Sequence, residues 1–198
     1  MNDLHGVSRL RSPVLRRRLL ALAAVGWLAT AAGPTSAQAE AGLQASEYQV
    51  KAAFICKFAS YVEWPPGDRA DQPFVIGVLG SDEVAQELTR AAAGMSVQGR
   101  SMVVRKLPRP EALAGVHILF IARSHGGRLA ELLASARGQP LLTVTETEPA
   151  STAGSIINFV LVDDKVRFDI ALPLAEQGNL KISARLLGVA RKVWTKTS

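Results

Sequence analysis

Strongly apolar runs alternate with amphipathic helical stretches along this chain, and that alternation restricts the fold more than any other feature. Residues 74–79, 102–107, 116–122 and 141–145 read as strands. Between them Ser81 is placed to cap a helix striped by Val84, Leu88, Ala91 and Ala92, with Asp82 and Glu83 complementing its positive end. Leu129, Leu132, Leu133 and Ala136 mark a further helix. An earlier helix opens on a capping box, Ser46 with Gln49, and runs through Val50, Phe54, Phe58, Tyr61 and Val62 to Pro65-Pro66. Ile55 and Ala59 widen its apolar arc and Lys51 falls inside it. Such a helix wants cover on more than one side, from the sheet and a neighbouring helix or from a partner subunit.

The pattern changes after Pro149. Residues 156–162 and 166–172 flank the polar turn Asp163-Asp164-Lys165 as a hairpin. Val166, Phe168, Ile170 and Leu172 alternate there with Arg167, Asp169 and Ala171, which puts one face in water. Arg167 and Asp169 then pair in solvent, worth under about 1 kcal/mol, or meet a partner. A last helix, capped near Ser183, carries Leu186, Leu187, Ala190, Val193 and Trp194 on one stripe, with Arg185, Arg191 and Lys192 on a solvated face. The expected fold is α/β: a single three-layer domain, its mainly parallel sheet flanked by helices, with a C-terminal antiparallel hairpin and a terminal helix.

Residues 1–39 read as an export signal. Arg16, Arg17 and Arg18 precede an apolar run over 19–32, then a Gly33-Pro34 break and the small-residue pattern Ala37-Gln38-Ala39. The run is shorter than the roughly 20 residues a spanning helix needs, so removal is expected, leaving residues 40–198 as one domain in the periplasm. Either the Sec or the twin-arginine route would serve. The chain holds 23 Lys+Arg and 17 Asp+Glu, a formal charge of +6. Five arginines and one aspartate lie within residues 1–39, so beyond them the counts are 18 and 16 and the charge is +2. Basicity therefore gives no argument for a nucleic-acid partner. Cys56 is the only cysteine, which excludes an internal disulfide, CxxC chemistry and a cysteine-rich metal site. It reads as an inert buried thiol or as one half of an intermolecular disulfide.

Open α/β sheets bind ligands beyond the carboxyl ends of their strands. The loops there carry Gly80 and Thr147 together with the candidate ligand residues Ser81, Ser124, His125, Gly126, Gly127 and Thr145. The two glycines before a helix expose N–H groups suited to an anion, though the same small residues suit an ordinary capping turn. The chain has no GxGxxG, GxxxxGK, GxSxG or HExxH. His117 sits in an apolar strand and reads as structural, whereas His125 faces solvent. The two are eight residues apart with no acid between them, so a shared metal is not expected. Glu146 and Glu148 have no opposing carboxylate that the sequence identifies. The expectation is a protein that is no enzyme, with no catalytic residues, metal or cofactor.

Several strings carry a resemblance. Val50-Lys51-Ala52-Ala53-Phe54, Phe58 and Val62-Glu63-Trp64-Pro65 come first, followed by Ile76-Gly77-Val78-Leu79-Gly80 and His117-Ile118-Leu119-Phe120-Ile121. Ile157-Asn158-Phe159, Val166-Arg167-Phe168-Asp169-Ile170 and the run from Leu180-Lys181-Ile182 to Leu186-Leu187 complete the set. In this order they resemble the YfiR-like family of periplasmic regulators. The resemblance implies a non-enzymatic protein, tending to dimerise, that binds the periplasmic sensing domain of an inner-membrane diguanylate cyclase and holds it inactive. Cyclic di-GMP and biofilm growth would then fall, with membrane contact only through the partner. Lys57, Tyr61, Glu63, Trp64, Arg167 and Asp169 are the candidate partner-binding residues. Well-known relatives use several cysteines, so their redox control does not carry over to a chain with Cys56 alone, and Ser155 stands where many relatives have glycine. The alternative is a periplasmic small-ligand sensor acting on another membrane receptor, since one fold serves different receptors.

Overall fold

The computed structural model describes residues 36–66, 72–108, 113–148 and 154–196. The expected export signal therefore lies outside the described residues up to Thr35. The first element is helix α1, Ser36–Tyr61, which begins well upstream of the expected capping box. Ser46 and Gln49 lie inside it because the stretch before them is rich in Ala, Gln and Glu, strong helix formers that let the helix propagate. The capping-box start is thus corrected. Residues 42–46 are exposed, and α1 meets the core only from Tyr48 onward.

Strand β1, Val62–Glu63, follows at once. β2, Phe74–Leu79, leads to α2, Asp82–Ala92, then to β3, Ser96–Val97, and β4, Arg100–Lys106. β5, Ile118–Ile121, runs into a 3₁₀ turn, Arg123–Arg128, and α3, Leu129–Ala136, before β6, Leu142–Thr145. The hairpin is β7, Ile157–Val162, and β8, Lys165–Ala171. Helix α4, Leu172–Gln177, strand β9, Lys181–Ile182, helix α5, Ala184–Val189, and strand β10, Lys192–Trp194, complete the described chain.

Eight strands form one sheet in the order β10-β8-β7-β6-β5-β2-β4-β3. β4, β2, β5, β6 and β7 are mutually parallel, so their spatial order by chain position is 2-1-3-4-5, a doubly wound arrangement with its switch point between β2 and β5. Ile55 and Phe58 of α1, Val84 and Leu88 of α2 and Leu186 of α5 share one core with Ile76, Phe120, Val144 and Phe159. Leu129, Leu132 and Leu133 of α3 cover Leu79, Leu119 and Ile121 on the opposite face. That makes the three layers expected.

The broad apolar arc of α1 is covered on two sides, by the sheet and by α2 and α5. Phe54 and Phe58 interlock with Phe159 and Phe168 of the hairpin, with centroid separations from 5.1 to 6.2 Å across the α1–hairpin contact. The hairpin turn is two residues, not three: Val162 pairs with Lys165, and Asp163 and Asp164 both take positive φ, 49° and 57°, as a primed turn demands.

Two expectations for the C-terminal part are corrected. The last helix stops at Val189, although Ser183 caps it as expected by accepting the Leu186 N–H at 3.3 Å. Val193 and Trp194 then join β10, parallel to β8, because the open edge of β8 offers backbone partners that a helix would leave unused. Arg191 and Lys192 are therefore not on a solvated helix face. Nor is Asp169 in water: it is 2% exposed and accepts from Arg191 Nε at 2.8 Å and Nη2 at 2.5 Å, so the expected Arg167–Asp169 pair is replaced. The hydrogen bonds that Arg191 donates to Asp169 hold its guanidinium more firmly protonated.

Candidate functional site

β2 and β5 end side by side, which brings Gly80-Ser81 to the 3₁₀ turn at the switch point. Ser124 Oγ donates to the Gly80 carbonyl at 2.8 Å and lies 3.4 Å from His125 Nδ1. Gly80 has φ +90°, and a Cβ there would sit 2.2 Å from His125 Nδ1, so the two loops are in direct contact. Ser81 caps α2, accepting the Val84 N–H at 3.2 Å and donating to Glu83 at 3.0 Å. Gly126 and Gly127 are exposed within the 3₁₀ turn, whose Gly126 carbonyl accepts the Leu129 N–H. Four of the six candidate ligand residues, Ser124 to Gly127, share that turn, and Ser81 adjoins it through Gly80.

Thr145 is placed elsewhere. It is fully buried, and its hydroxyl lies 2.6 Å from Ser155 Oγ and donates to Asn158 Oδ1 at 2.7 Å. Asn158 Oδ1 also accepts the Thr147 N–H at 2.9 Å, while Nδ2 donates to the Thr147 carbonyl at 2.9 Å. A polar side chain inside the sheet is tolerated because these bonds satisfy it. Ser155, in the position read as a departure from relatives, is part of this network and also donates to Ile157 O at 3.0 Å.

A buried charge cluster, not singled out as a site by sequence reasoning, ties α1 to the end of β6. Lys51 is 1% exposed and pairs with both Glu146 and Glu47. Glu146 Oε1 also accepts the Arg123 N–H at 2.9 Å. The available signal was the lysine inside the apolar arc of α1. Cys56 is buried one turn further on, and burial pushes its thiol up from 9.0 to about 11, so it is a poor nucleophile near neutral pH. His117 behaves as a structural residue: Nδ1 accepts the Val75 N–H at 3.1 Å, Arg100 Nη2 lies 2.9 Å from Nε2, and the ring stacks on Phe74 at 4.6 Å.

The open space lies at the other end of the sheet. Trp64-Pro65-Pro66 line two clefts, one at the amino ends of β4, β5 and β6 and the other beside β1, α4 and β9. One, of about 610 Å³, is bounded by Arg100, Val116, His117 and Leu141; the other, of about 550 Å³, by Glu63, Glu176, Leu180 and Lys181. Trp64 packs edge-on against Phe74 at 5.0 Å, and its Nε1–H is buried with no hydrogen-bond partner. Sequence reasoning attended to the carboxyl ends and did not single out Arg100.

Of the candidate partner residues, Lys57, Glu63 and Arg167 are exposed, and Tyr61 and Trp64 are half-buried. The segment 61–63 is held by β9, since the Tyr61 carbonyl accepts the Ser183 N–H at 2.9 Å and Glu63 pairs with Lys181 in register. Asp169 is committed to Arg191. Among the described residues no helix is long and apolar enough to cross a membrane, and no group of three or more His, Cys, Asp or Glu is placed to hold a metal.

A family model described as YfiR/HmsC-like matches residues 48–191. The matched span begins where α1 joins the core and ends at the Arg191 that holds Asp169. This places the chain in a class of periplasmic regulators, regulatory rather than catalytic. The chain belongs to the YfiR/HmsC-like family. Among solved structures, an ABC domain from Streptococcus pneumonia in complex with L-Trp is similar at 11% identity and a TM-score of 0.51, over 74% of this chain. The chain spans 60% of that structure, and the likeness is one of fold. No curated protein matches.

Proposed function

We propose that this protein is exported to the periplasm, where it binds and inhibits the sensing domain of an inner-membrane diguanylate cyclase as a non-enzymatic, dimer-forming regulator. The observation that carries the reading is the family match over the whole folded core, residues 48–191. The site chemistry supports it. Glu146 is locked to Lys51 and Arg123, the Cys56 thiol is raised and buried, and His117 is held within the fold. A shape-reading surface then does the work, and the exposed Lys57 and Glu63 beside Tyr61 and Trp64 are the proposed contact, with Arg167 on the hairpin. Crosslinking in intact cells should capture a membrane cyclase, and deletion of the gene should raise cyclic di-GMP. Unchanged nucleotide levels, with no cyclase among the crosslinked proteins, would refute the proposal.

A further inference from the structure

We propose that the larger cleft, at the amino ends of β4, β5 and β6, binds a small amphipathic carboxylate through Arg100 and the Trp64 indole N–H. Three independent observations converge on it. Its volume, about 610 Å³, falls within the roughly 300–1,000 Å³ of small-molecule pockets. Arg100 is the only residue with an always-charged side chain among the described residues lining it, and no carboxylate faces it there. The guanidinium is held by the Gln72 and Pro73 carbonyls, at 2.6 and 3.0 Å, and by His117, with no acidic partner among the described residues and with Nη1 outside these bonds. In the smaller cleft Glu63 and Glu176 outnumber Lys181, which makes it the less suited of the two to an anion.

The indole supplies the third observation. A buried N–H without an acceptor costs about 1–3 kcal/mol, and Trp64 Nε1 is in that state. The N–H is buried in this structure, so the proposal includes a turn of the indole that brings it to a carboxylate oxygen in the cleft that the ring lines. Leu113, Val116, Pro140 and Leu141 add apolar surface beside Gln98 and Gln139, a mixed lining that favours an organic acid over a strongly hydrated inorganic anion. Arg is also the side chain whose planar fork matches a carboxylate. The site is at the opposite end of the strands from the loops around Gly80 and Ser124, and it does not depend on cyclase binding.

The test follows the Trp64 indole N–H resonance, assigned with Trp64→Phe, while the purified protein is titrated with benzoate, hexanoate, benzamide and inorganic phosphate. At least one of the two organic acids should shift it saturably with a Kd of about 1 mM or below, and benzamide and phosphate should bind at least about tenfold more weakly. Arg100→Gln should remove the response. Ala114→Trp, an exposed residue on the rim, should block it without disturbing the core, which separates loss of the site from loss of the fold. No saturable shift with either acid up to about 10 mM would overturn the proposal. Equal response to benzamide, or a response that survives Ala114→Trp, would do the same.

Discussion

Replacing Lys51 by Met should expose how much α1 depends on its buried charge. The Lys51 side chain is 2% exposed, and Glu146, whose side chain is 4% exposed, would keep only the Arg123 N–H as a partner near its charge. Breaking a buried pair from one side costs about 3–5 kcal/mol, because the surviving charge is left without compensation. With a urea slope of about 2 kcal/mol/M, a loss near 4 kcal/mol lowers the unfolding midpoint by about 2 M. The double variant Lys51→Met with Glu146→Leu removes the two buried charges, leaves only the part-exposed Glu47, and fills the space with apolar atoms, so it should recover most of that loss. Equilibrium urea unfolding followed by circular dichroism measures all three proteins. The reasoning fails if the single variant shifts the midpoint by less than about 0.5 M, or if the double variant is no more stable than the single one.

Other parts of the structure give equally direct tests. Gly80→Ala should cost at least about 1–2 kcal/mol, since φ is +90° and the methyl meets the His125 ring; adding His125→Ala should relieve the steric part only, as read by thermal unfolding. Cys56 should resist a thiol reagent at pH 8 in the folded protein and react once urea unfolds it; prompt labelling of the native state would contradict its burial. Because burial raises this pKa, the unfolded chain loses its proton first. Stability from this group is intact below about pH 9 and declines as pH rises toward 11, a slope that Cys56→Ala should abolish in urea midpoints. Asp169→Asn should weaken the hold on Arg191 and speed amide exchange in β10 well before the rest of the sheet; uniform exchange rates would argue against that local role.

Legibility in the sequence varied with the range of the interactions involved. The cap at Ser81, the stripe of α3 and the strands near 74–79 and 141–145 were all readable, since each is decided by neighbours a few positions away. The same local reading misjudged the helix start at Ser46, where good helix formers upstream extended α1, and the end of the last helix, where an open sheet edge competed for Val193 and Trp194. Of the candidate site, the loop cluster of Ser81, Ser124 and His125 was anticipated, whereas the Trp64 cleft was not. That cleft arises from the amino ends of three strands separated widely in the chain, a juxtaposition with no periodic signature.

The amino-acid order alone determined the alternation of strand and helix, the presence of the hairpin and the kinship with a family of regulators, because each is written in short strings or short periods. Tertiary structure decided the fate of the polar groups. Lys51 finds Glu146 at a sequence separation of 95, Asp169 finds Arg191 at 22, and the Trp64 N–H finds nothing. Whether a charge or a donor is solvated, paired or stranded is set by whatever the folded chain brings against it, and local pattern carries no record of that.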